Sequence, residues 1–220
     1  MASVDARDRR AWTLLSIVAG VVCIAGFVAT GEAGDRTRRS LVDRTVQRWI
    51  VAHQNGSVAD FFHQVTNLGG PTVMWVVAAL GAGYLAFRIK RYRVVFVWLP
   101  SAITIALLDR VKGAYGRPRP TGPGSGVDSD YSFPSAHATA AAAVCCTLAF
   151  AFWREGLIRT RTAIAFAVLP PLLVGLSRLY LNAHWVTDVL GGWCAGLLMA
   201  LIAGFLYVLA ERHESMGGNP

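Results

Sequence analysis

The chain has 220 residues, of which 54% are hydrophobic and only 15% are charged, whereas a typical soluble domain is about 25% charged. This composition excludes a collagen-like or disordered polymer and predicts a membrane protein, because the apolar residues can fill both spans and a packed interior. The formal net charge of +8 would suggest a nucleic-acid partner for a soluble chain. Here the basic residues are dispersed along the predicted membrane faces, so we predict no nucleic-acid binding.

Apolar stretches without charges predict six transmembrane helices, since about 20 apolar residues cross the hydrocarbon of a bilayer. The spans are predicted at residues 11–31, 61–87, 94–108, 137–153, 162–177 and 189–210. The first follows a basic N-terminal stretch and is interpreted as a retained anchor rather than a signal peptide. The second is expected to begin near Pro71, because Pro is favoured at a helix N-terminus. The sequence therefore predicts an all-α integral membrane bundle, one domain over residues 1–220 with its core at about 60–210.

Two of the predicted spans are short. The third has 15 uncharged residues and the fifth has 16, which gives roughly 22–24 Å of helix against a hydrocarbon core of about 30 Å. Both helices are therefore expected to continue past their first charge, which places Asp109 and Lys112 on one helix and Arg178 on the other at one membrane face. Ionisable residues inside a membrane are candidates for function.

The loop between the second and third spans indicates the orientation. Residues 88–93 read RIKRYR, and the positive-inside bias places such a loop in the cytoplasm. With alternating spans, both termini are then cytoplasmic, and the segments that follow the third and fifth spans face the extracytoplasmic side of the cell membrane.

The segment between the first two spans contains an amphipathic pattern. Apolar residues recur there at helical spacing, at Leu41, Val42, Val46, Trp49 and Ile50. They alternate with charged residues, at Arg38, Arg39, Asp43, Arg44 and Arg48. This pattern predicts an interfacial helix that lies along the outer surface of the membrane. A solvated structural cap is the alternative.

No metal or other cofactor is predicted. The cysteines Cys23, Cys145, Cys146 and Cys194 all lie in apolar runs and are interpreted as small buried side chains rather than a disulfide frame or a metal cluster. Asp128 and Asp130 are close carboxylates in an outer loop, for which a solvated loop is the better interpretation than a metal site.

Three groups of polar residues fall at the same predicted membrane face. They are Lys112 to Arg119-Pro120, then Ser135-Ala136-His137 after Pro134, and then Ser177-Arg178 with His184 and Asp188. His184 and Asp188 are four residues apart, so at a helix start the carboxylate can accept a hydrogen bond from one imidazole nitrogen and leave the other as nucleophile or base. Ser135 and His137 open a helix, where free N–H groups favour an anion.

Three cations would surround that anion. Lys112, Arg119 and Arg178 can neutralise phosphate oxygens, and Arg can do so in bidentate fashion. The residues together predict a phosphoryl-transfer site in which the cations replace a metal ion. Arg110 and Arg117 flank the first group and are interpreted either as part of the site or as side chains that extend to the interface.

These groups of residues resemble the type 2 phosphatidic acid phosphatase superfamily of membrane lipid phosphatases, which shares its site with vanadium haloperoxidases. The family signature is Lys, six residues, Arg-Pro, then Pro-Ser-Gly-His, then Ser-Arg, five residues, His, three residues, Asp. The first and third parts match in full. In the second part Ala136 replaces the usual Gly, which would restrict the backbone if that position needed a positive φ. The stretch of residues 43–70 also resembles the first outer loop of bacterial members.

The resemblance implies a mechanism that these residues can perform. His184, neutral and oriented by Asp188, would attack phosphorus and form a phosphohistidine, and protonated His137 would give its proton to the leaving oxygen. Lys112, Arg119, Ser135, the amide of Ala136 and Arg178 would hold the phosphate oxygens. Because one histidine must start neutral and the other protonated, a bell-shaped pH profile is expected.

The family also implies a lipid phosphate as substrate. A polyprenyl (undecaprenyl-type) diphosphate in the outer leaflet is the first choice, because the predicted site faces outward, and phosphatidic acid or phosphatidylglycerophosphate is the alternative. Two other functions stay open. A vanadate-dependent haloperoxidase would share the anion site, although six apolar spans argue against it. The other function is that of a non-enzymatic lipid-phosphate binding or transport protein. The intact His137, His184 and Asp188 argue against it.

Overall fold

The computed structural model describes residues 6–34, 39–90, 92–122 and 131–217, and it contains helices but no strands within these ranges. The helices are α1 (Ala6–Ala33), α2 (Leu41–Ala52), α3 (Gly56–Leu68), α4 (Pro71–Ile89), α5 (Val95–Tyr115), α6 (Ala136–Arg154), α7 (Thr160–Tyr180) and α8 (Val186–Gly217), with one turn of 3₁₀ helix at Tyr92–Val94. The predicted all-α class is confirmed. Asp128 and Asp130 lie outside the described residues.

Five helices are long and apolar enough to cross a membrane. These candidate spans are Thr13–Ala33, Pro71–Ile89, Ala136–Arg154, Thr160–Tyr180 and Val186–Met216. They correspond to the predicted first, second, fourth, fifth and sixth spans, and the second begins at Pro71 as expected. The third predicted span lies in α5, which is not among the five, so six spans stay a prediction.

The two short predicted spans do continue past their first charge. α5 runs through Lys112 to Tyr115, and α7 runs through Arg178 to Tyr180. α5 ends at Gly116, whose φ of 56° is left-handed and whose N–H donates to the carbonyl of Lys112 at 2.9 Å. Glycine is the residue that most readily takes this helix-ending conformation. Both helices therefore carry a cation in their last turn.

The centre of the bundle is α6, which contacts α4, α5, α7 and α8. Of its span 67% is buried, against 11% for α1. The first half of α6 consists mainly of alanines, and small side chains allow neighbouring helices to approach closely. At Gly196 of α8 the backbones of α6 and α8 approach closely, since an added Cβ would lie 2.5 Å from the carbonyl oxygen of Thr139.

Replacing Gly196 by Ala is expected to force α6 and α8 apart, because the new Cβ would also lie 2.7 Å from the Cβ of Ala142. Overpacking of this kind lowers the free energy of unfolding by about 1–3 kcal/mol. Gly83→Ala in α4 is the matched control, since nothing lies within 4 Å of its added Cβ and Ala favours a helix. Thermal unfolding in detergent should show a lower midpoint for Gly196→Ala alone. Equal midpoints would contradict this packing.

The other end of the bundle is held by ion pairs. Arg93 pairs with Glu155 at 2.8 Å and with Glu214 at 2.6 Å, and the hydroxyl of Tyr207 donates to Glu155 at 2.6 Å. The predicted cytoplasmic loop therefore carries less net positive charge at this end than its sequence suggests, because two glutamates from α8 and the end of α6 balance Arg93. The orientation of the chain stays a prediction.

The predicted amphipathic segment forms α2. Its N-cap is Ser40, whose Oγ accepts the N–H of Asp43 at 3.0 Å, as a capping residue does. Leu41 and Trp49 are exposed, as an interfacial helix would have them. Asp43, one of the charged residues of the amphipathic pattern, is only 1% exposed. Its carboxylate is buried because it binds the first turn of α8.

Candidate active site

The three predicted groups of polar residues meet at one end of the bundle, where α5 and α7 end and where α6 and α8 begin. His137 on α6 interacts electrostatically with Lys112, Arg119, Arg178 and His184, which come from each of the other groups. The geometry therefore brings all the predicted catalytic and phosphate-binding positions to one place. Each of them lies at or next to a helix end, where backbone N–H groups and side chains can both face a ligand.

His184 and Asp188 form the pair expected from their spacing. His184 lies in the turn before α8 and is 4% exposed, and its Nδ1 is 3.4 Å from Oδ2 of Asp188, which is fully buried. The same carboxylate oxygen accepts the N–H of Trp185 at 2.9 Å. With its Nδ1 proton directed to Asp188, the neutral imidazole has its lone pair on Nε2, on the side of the ring away from Asp188.

Burial is the main reason that the pKa of His184 is lowered to about 4. The hydrogen bond and charge of Asp188 offset part of this effect, and the cations Arg178 and Arg119 lower the pKa further. At neutral pH the imidazole is therefore unprotonated, as a nucleophile must be.

The kcat/KM, which reports the pKa values of the free enzyme, is expected to stay constant as the pH falls from 7 and to decline only near pH 4, where His184 takes up a proton. A histidine with an ordinary pKa would give this acid limb near pH 6.5. Initial rates measured in detergent from about pH 3 upward test this, with samples returned to pH 7 to show that lost activity recovers. An acid limb near pH 6.5 would show that His184 is not held neutral by burial.

The three predicted phosphate-binding cations lie around the histidines. Arg119 Nη1 donates to the carbonyl of Ala183 at 2.8 Å and lies 3.3 Å from Nε2 of His184. Arg178 Nη1 donates to Oγ1 of Thr66 at 3.0 Å. Lys112 and Arg178 are 7% and 5% exposed, so their charges are little screened by water and act strongly on a bound anion.

The start of α6 supplies uncharged donors. Ser135 is fully buried, and its Oγ has no hydrogen-bond partner among the described residues, which leaves it available to a ligand. Ala136 is the first residue of α6 and is not one of the non-glycine residues with positive φ. Alanine therefore fits at this position without strain, and its amide is one of the first-turn N–H groups that a helix leaves free.

His137 faces the start of α4. An added Cβ on Gly70, the N-cap of α4, would lie 3.9 Å from Nε2 of His137. The absence of a side chain at residue 70 thus leaves room beside this imidazole.

Arg117 is the residue whose position the sequence left most open. It is not at the interface but 1% exposed, and its Nη1 pairs with Oδ1 of Asp188 at 2.7 Å. Arg110, in contrast, is exposed. The sequence did not predict that Asp43 and Thr66 lie next to the site, where they contact Thr187 and Arg178. The signal for them was the resemblance of residues 43–70 to an outer loop of the family.

An all-helical bundle with apolar spans and with two histidines, a carboxylate and three cations at one end fits a membrane-embedded phosphate-ester hydrolase. A family model described as PAP2 superfamily matches residues 94–212, more than half of the chain. The chain therefore belongs to the PAP2 superfamily and is a phosphatase. The family predicted from the sequence motifs is confirmed.

Two curated relatives and one solved structure are similar to the chain. Phosphatidylglycerophosphatase B of Bacillus subtilis (strain 168) is 33% identical over 64% of this chain and 71% of its own length. Decaprenylphosphoryl-5-phosphoribose phosphatase of Mycolicibacterium smegmatis is 34% identical over 58% of this chain and 67% of its own. A crystal structure of a transmembrane PAP2 type phosphatidylglycerolphosphate phosphatase from Bacillus subtilis superposes with a TM-score of 0.73 at 23% identity, over 90% of this chain and 96% of that one. It shows that the fold is shared.

Proposed function

We propose that this enzyme hydrolyses lipid phosphates through a covalent phosphohistidine. Nε2 of His184 attacks phosphorus and forms the P–N bond, while the bond from phosphorus to the leaving oxygen breaks and His137 gives that oxygen its proton. Water then attacks phosphorus, the P–N bond breaks, and the proton of the water returns to His137. Asp188 holds His184 in the tautomer that the attack requires.

The phosphate is held by cations and by the start of α6. Lys112, Arg119 and Arg178 neutralise the oxygens that gain charge in the transition state, and Ser135 Oγ and the amide of Ala136 donate to the same oxygens. In this proposal the cations do the work of a metal ion.

One observation carries the proposal. Nη1 of Arg119 lies 3.3 Å from Nε2 of His184, while Nδ1 of the same ring faces Asp188 at 3.4 Å. The nitrogen that would attack phosphorus is thus next to a cation that attracts the phosphate, and the opposite nitrogen is fixed by a carboxylate. A phosphate bound by Arg119 would lie within reach of the nucleophile.

The substrate is proposed from the surroundings of the site. α2 exposes Leu41, Val42 and Trp49 while its Asp43 contacts α8 beside His184. We propose that α2 lies in the membrane interface, so that a phosphate at headgroup level enters the site and its lipid chains stay in the bilayer. The chain would have six spans, cytoplasmic termini and an extracytoplasmic site.

A polyprenyl diphosphate of the undecaprenyl type is the first substrate that we propose, because the proposed site faces the outer leaflet. The mycobacterial relative is named for a decaprenyl lipid. Phosphatidylglycerophosphate is the second candidate, and the observation that favours it is the name of the Bacillus relative.

Phosphate release by the purified protein in detergent tests the proposal. The substrates are undecaprenyl diphosphate, phosphatidylglycerophosphate and phosphatidic acid, each assayed with and without a chelator. We expect release from at least one lipid at a rate that the chelator does not change. A chelator-sensitive rate would contradict the role of the cations, lipid binding without release would favour a binding protein, and bromide oxidation with vanadate and peroxide would favour a haloperoxidase.

A further inference from the structure

Arg117 makes a set of buried hydrogen bonds that the proposed reaction does not yet use. Its Nη1 donates to Oδ1 of Asp188 at 2.7 Å and to Oγ1 of Thr187 at 2.9 Å. Its Nη2 donates to the carbonyls of Thr30 at 2.8 Å and Gly31 at 2.6 Å. The guanidinium therefore joins the last turn of α1, whose carbonyls have no intrahelical partner, to the first turn of α8.

The packing around Arg117 also fixes its plane. The guanidinium carbon lies 4.4 Å from the centroid of the Phe133 ring, at cation–π distance. A Cβ added to Gly34 would lie 2.7 Å from the same carbon, so the backbone of residue 34 contacts the guanidinium closely. Only a flat, delocalised cation fits this space and bonds in these directions.

Asp188 needs a cation of its own. One of its oxygens serves His184 and the N–H of Trp185, and the other faces Arg117. A fully buried carboxylate without a paired cation is strongly unfavourable, and the neutral His184 supplies no charge. Arg119 in turn makes its hydrogen bonds to the carbonyl of Ala183 and to His184, on the side of the ring away from Asp188.

Asp43 holds the other end of this arrangement. Its Oδ1 accepts the N–H of Thr187 at 3.0 Å and its Oδ2 accepts the Thr187 hydroxyl at 2.8 Å. An anion here is favoured by the N-terminus of α8. Because the hydroxyl proton is given to Asp43, a lone pair of Thr187 Oγ1 is directed to Nη1 of Arg117. The bonds thus run without a break from α2 to the catalytic pair.

We propose that Arg117 is a positioning residue for His184: held by Thr187 and Asp43, it keeps Asp188 ionised and in one orientation, and Asp188 in turn orients the nucleophile. This proposal rests on the proposed function, in which His184 is that nucleophile. It adds to the residues that make the reaction possible one that the first family motif leaves unspecified, since Arg117 is among the six residues between Lys112 and Arg119.

The Arg117→Met variant separates positioning from phosphate binding. We expect the kcat to fall by about 10- to 100-fold, by analogy with the loss of a partner that orients a metal-ligating histidine. The KM should change by less than about 3-fold, because the bonds of Arg117 go to Asp188, Thr187 and α1. Arg110→Met on the exposed surface of α5 is the matched control and should retain the wild-type kcat. A kcat near wild type for Arg117→Met, or a loss entirely in KM, would overturn the proposal.

The pKa of His184 distinguishes the two possible roles of Arg117. It would stay unchanged in Arg117→Met if Arg117 only supported the fold. The charged and titratable groups that face His184 are Asp188 from α8, Arg119 after α5, Arg178 from α7 and His137 from α6. Arg117→Met removes the positive charge that pairs with Asp188, so the carboxylate stabilises a protonated His184 more strongly. The pKa of His184 should therefore rise in this variant. NMR of the labelled imidazole measures this without turnover, and an unchanged titration would overturn the proposal.

A double-mutant cycle shows whether Arg117 acts through Asp188. If it does, Arg117→Met should cost less than about 3-fold in kcat once Asp188 is Asn, because coupled residues are not additive. If the two residues act independently, the two losses in kcat multiply in the double mutant, and this result would overturn the proposal.

If the Arg117→Met variant does not fold, Thr187→Val is used instead, because it breaks the same chain of hydrogen bonds. We expect a several-fold lower kcat at unchanged KM, and a wild-type kcat for Thr187→Val would overturn the proposal. If the wild-type enzyme releases no phosphate, the proposed function is wrong. The NMR titration of His184 does not need turnover and would still test the role of Arg117.

Discussion

Replacing His184 by Ala is expected to abolish phosphate release, to below about one ten-thousandth of the wild-type rate, because no other group can form the covalent intermediate. The residue is 4% exposed and contributes to the site rather than to the apolar core, so the variant should fold. His213→Ala is the matched control, since this histidine is exposed on the last turns of α8, at the end of the bundle away from the site. Its rate should equal that of the wild type.

The proposed covalent intermediate can be measured directly as a second test of this prediction. With substrate that carries radioactive terminal phosphate, an alkaline quench should leave label on the wild-type protein and on His213→Ala, because a P–N bond survives base and breaks in acid. His184→Ala should carry no label. Label retained in that variant, or release at more than a small fraction of the wild-type rate, would assign the nucleophile to another residue.

The helix ends and the contact between His184 and Asp188 could be predicted from local signals. Pro71 begins α4 because proline lacks the N–H that a first turn does not use, and the spacing of His184 and Asp188 sets their contact at the start of α8. Such signals depend only on neighbours in the chain, so a single sequence contains them.

The roles of Asp43 and Arg117 depend on distant parts of the chain. Asp43 looks like any charged residue of an amphipathic helix, and its burial follows only from its bonds to Thr187, 144 residues away. Arg117 and Arg119 are two residues apart, and their spacing cannot tell which one binds Asp188 and which one reaches His184. Nor does local sequence reveal that residue 34 must be Gly for the guanidinium to fit.

His137→Asn is expected to slow the first chemical step by an amount that depends on the leaving group. An acid that protonates the leaving oxygen contributes about 10²–10⁴-fold, and the need for it is greatest when that oxygen would leave as an alkoxide, as in phosphatidylglycerophosphate. A polyprenyl diphosphate releases a phosphate ester, which is a far weaker base. The loss in rate should therefore be smaller for the diphosphate, and smallest for p-nitrophenyl phosphate, below about 10-fold.

Single-turnover release of the leaving group measures this step apart from the hydrolysis of the phosphohistidine. Lys112→Met provides the comparison, because a cation that binds the transferred phosphate should cost the same factor for all three substrates. The structure places His137 near both Lys112 and His184, so either a binding or an acid role fits its position. A graded loss identifies the acid, whereas an equal loss for all three leaving groups would show that His137 only binds phosphate and that the proton comes from elsewhere.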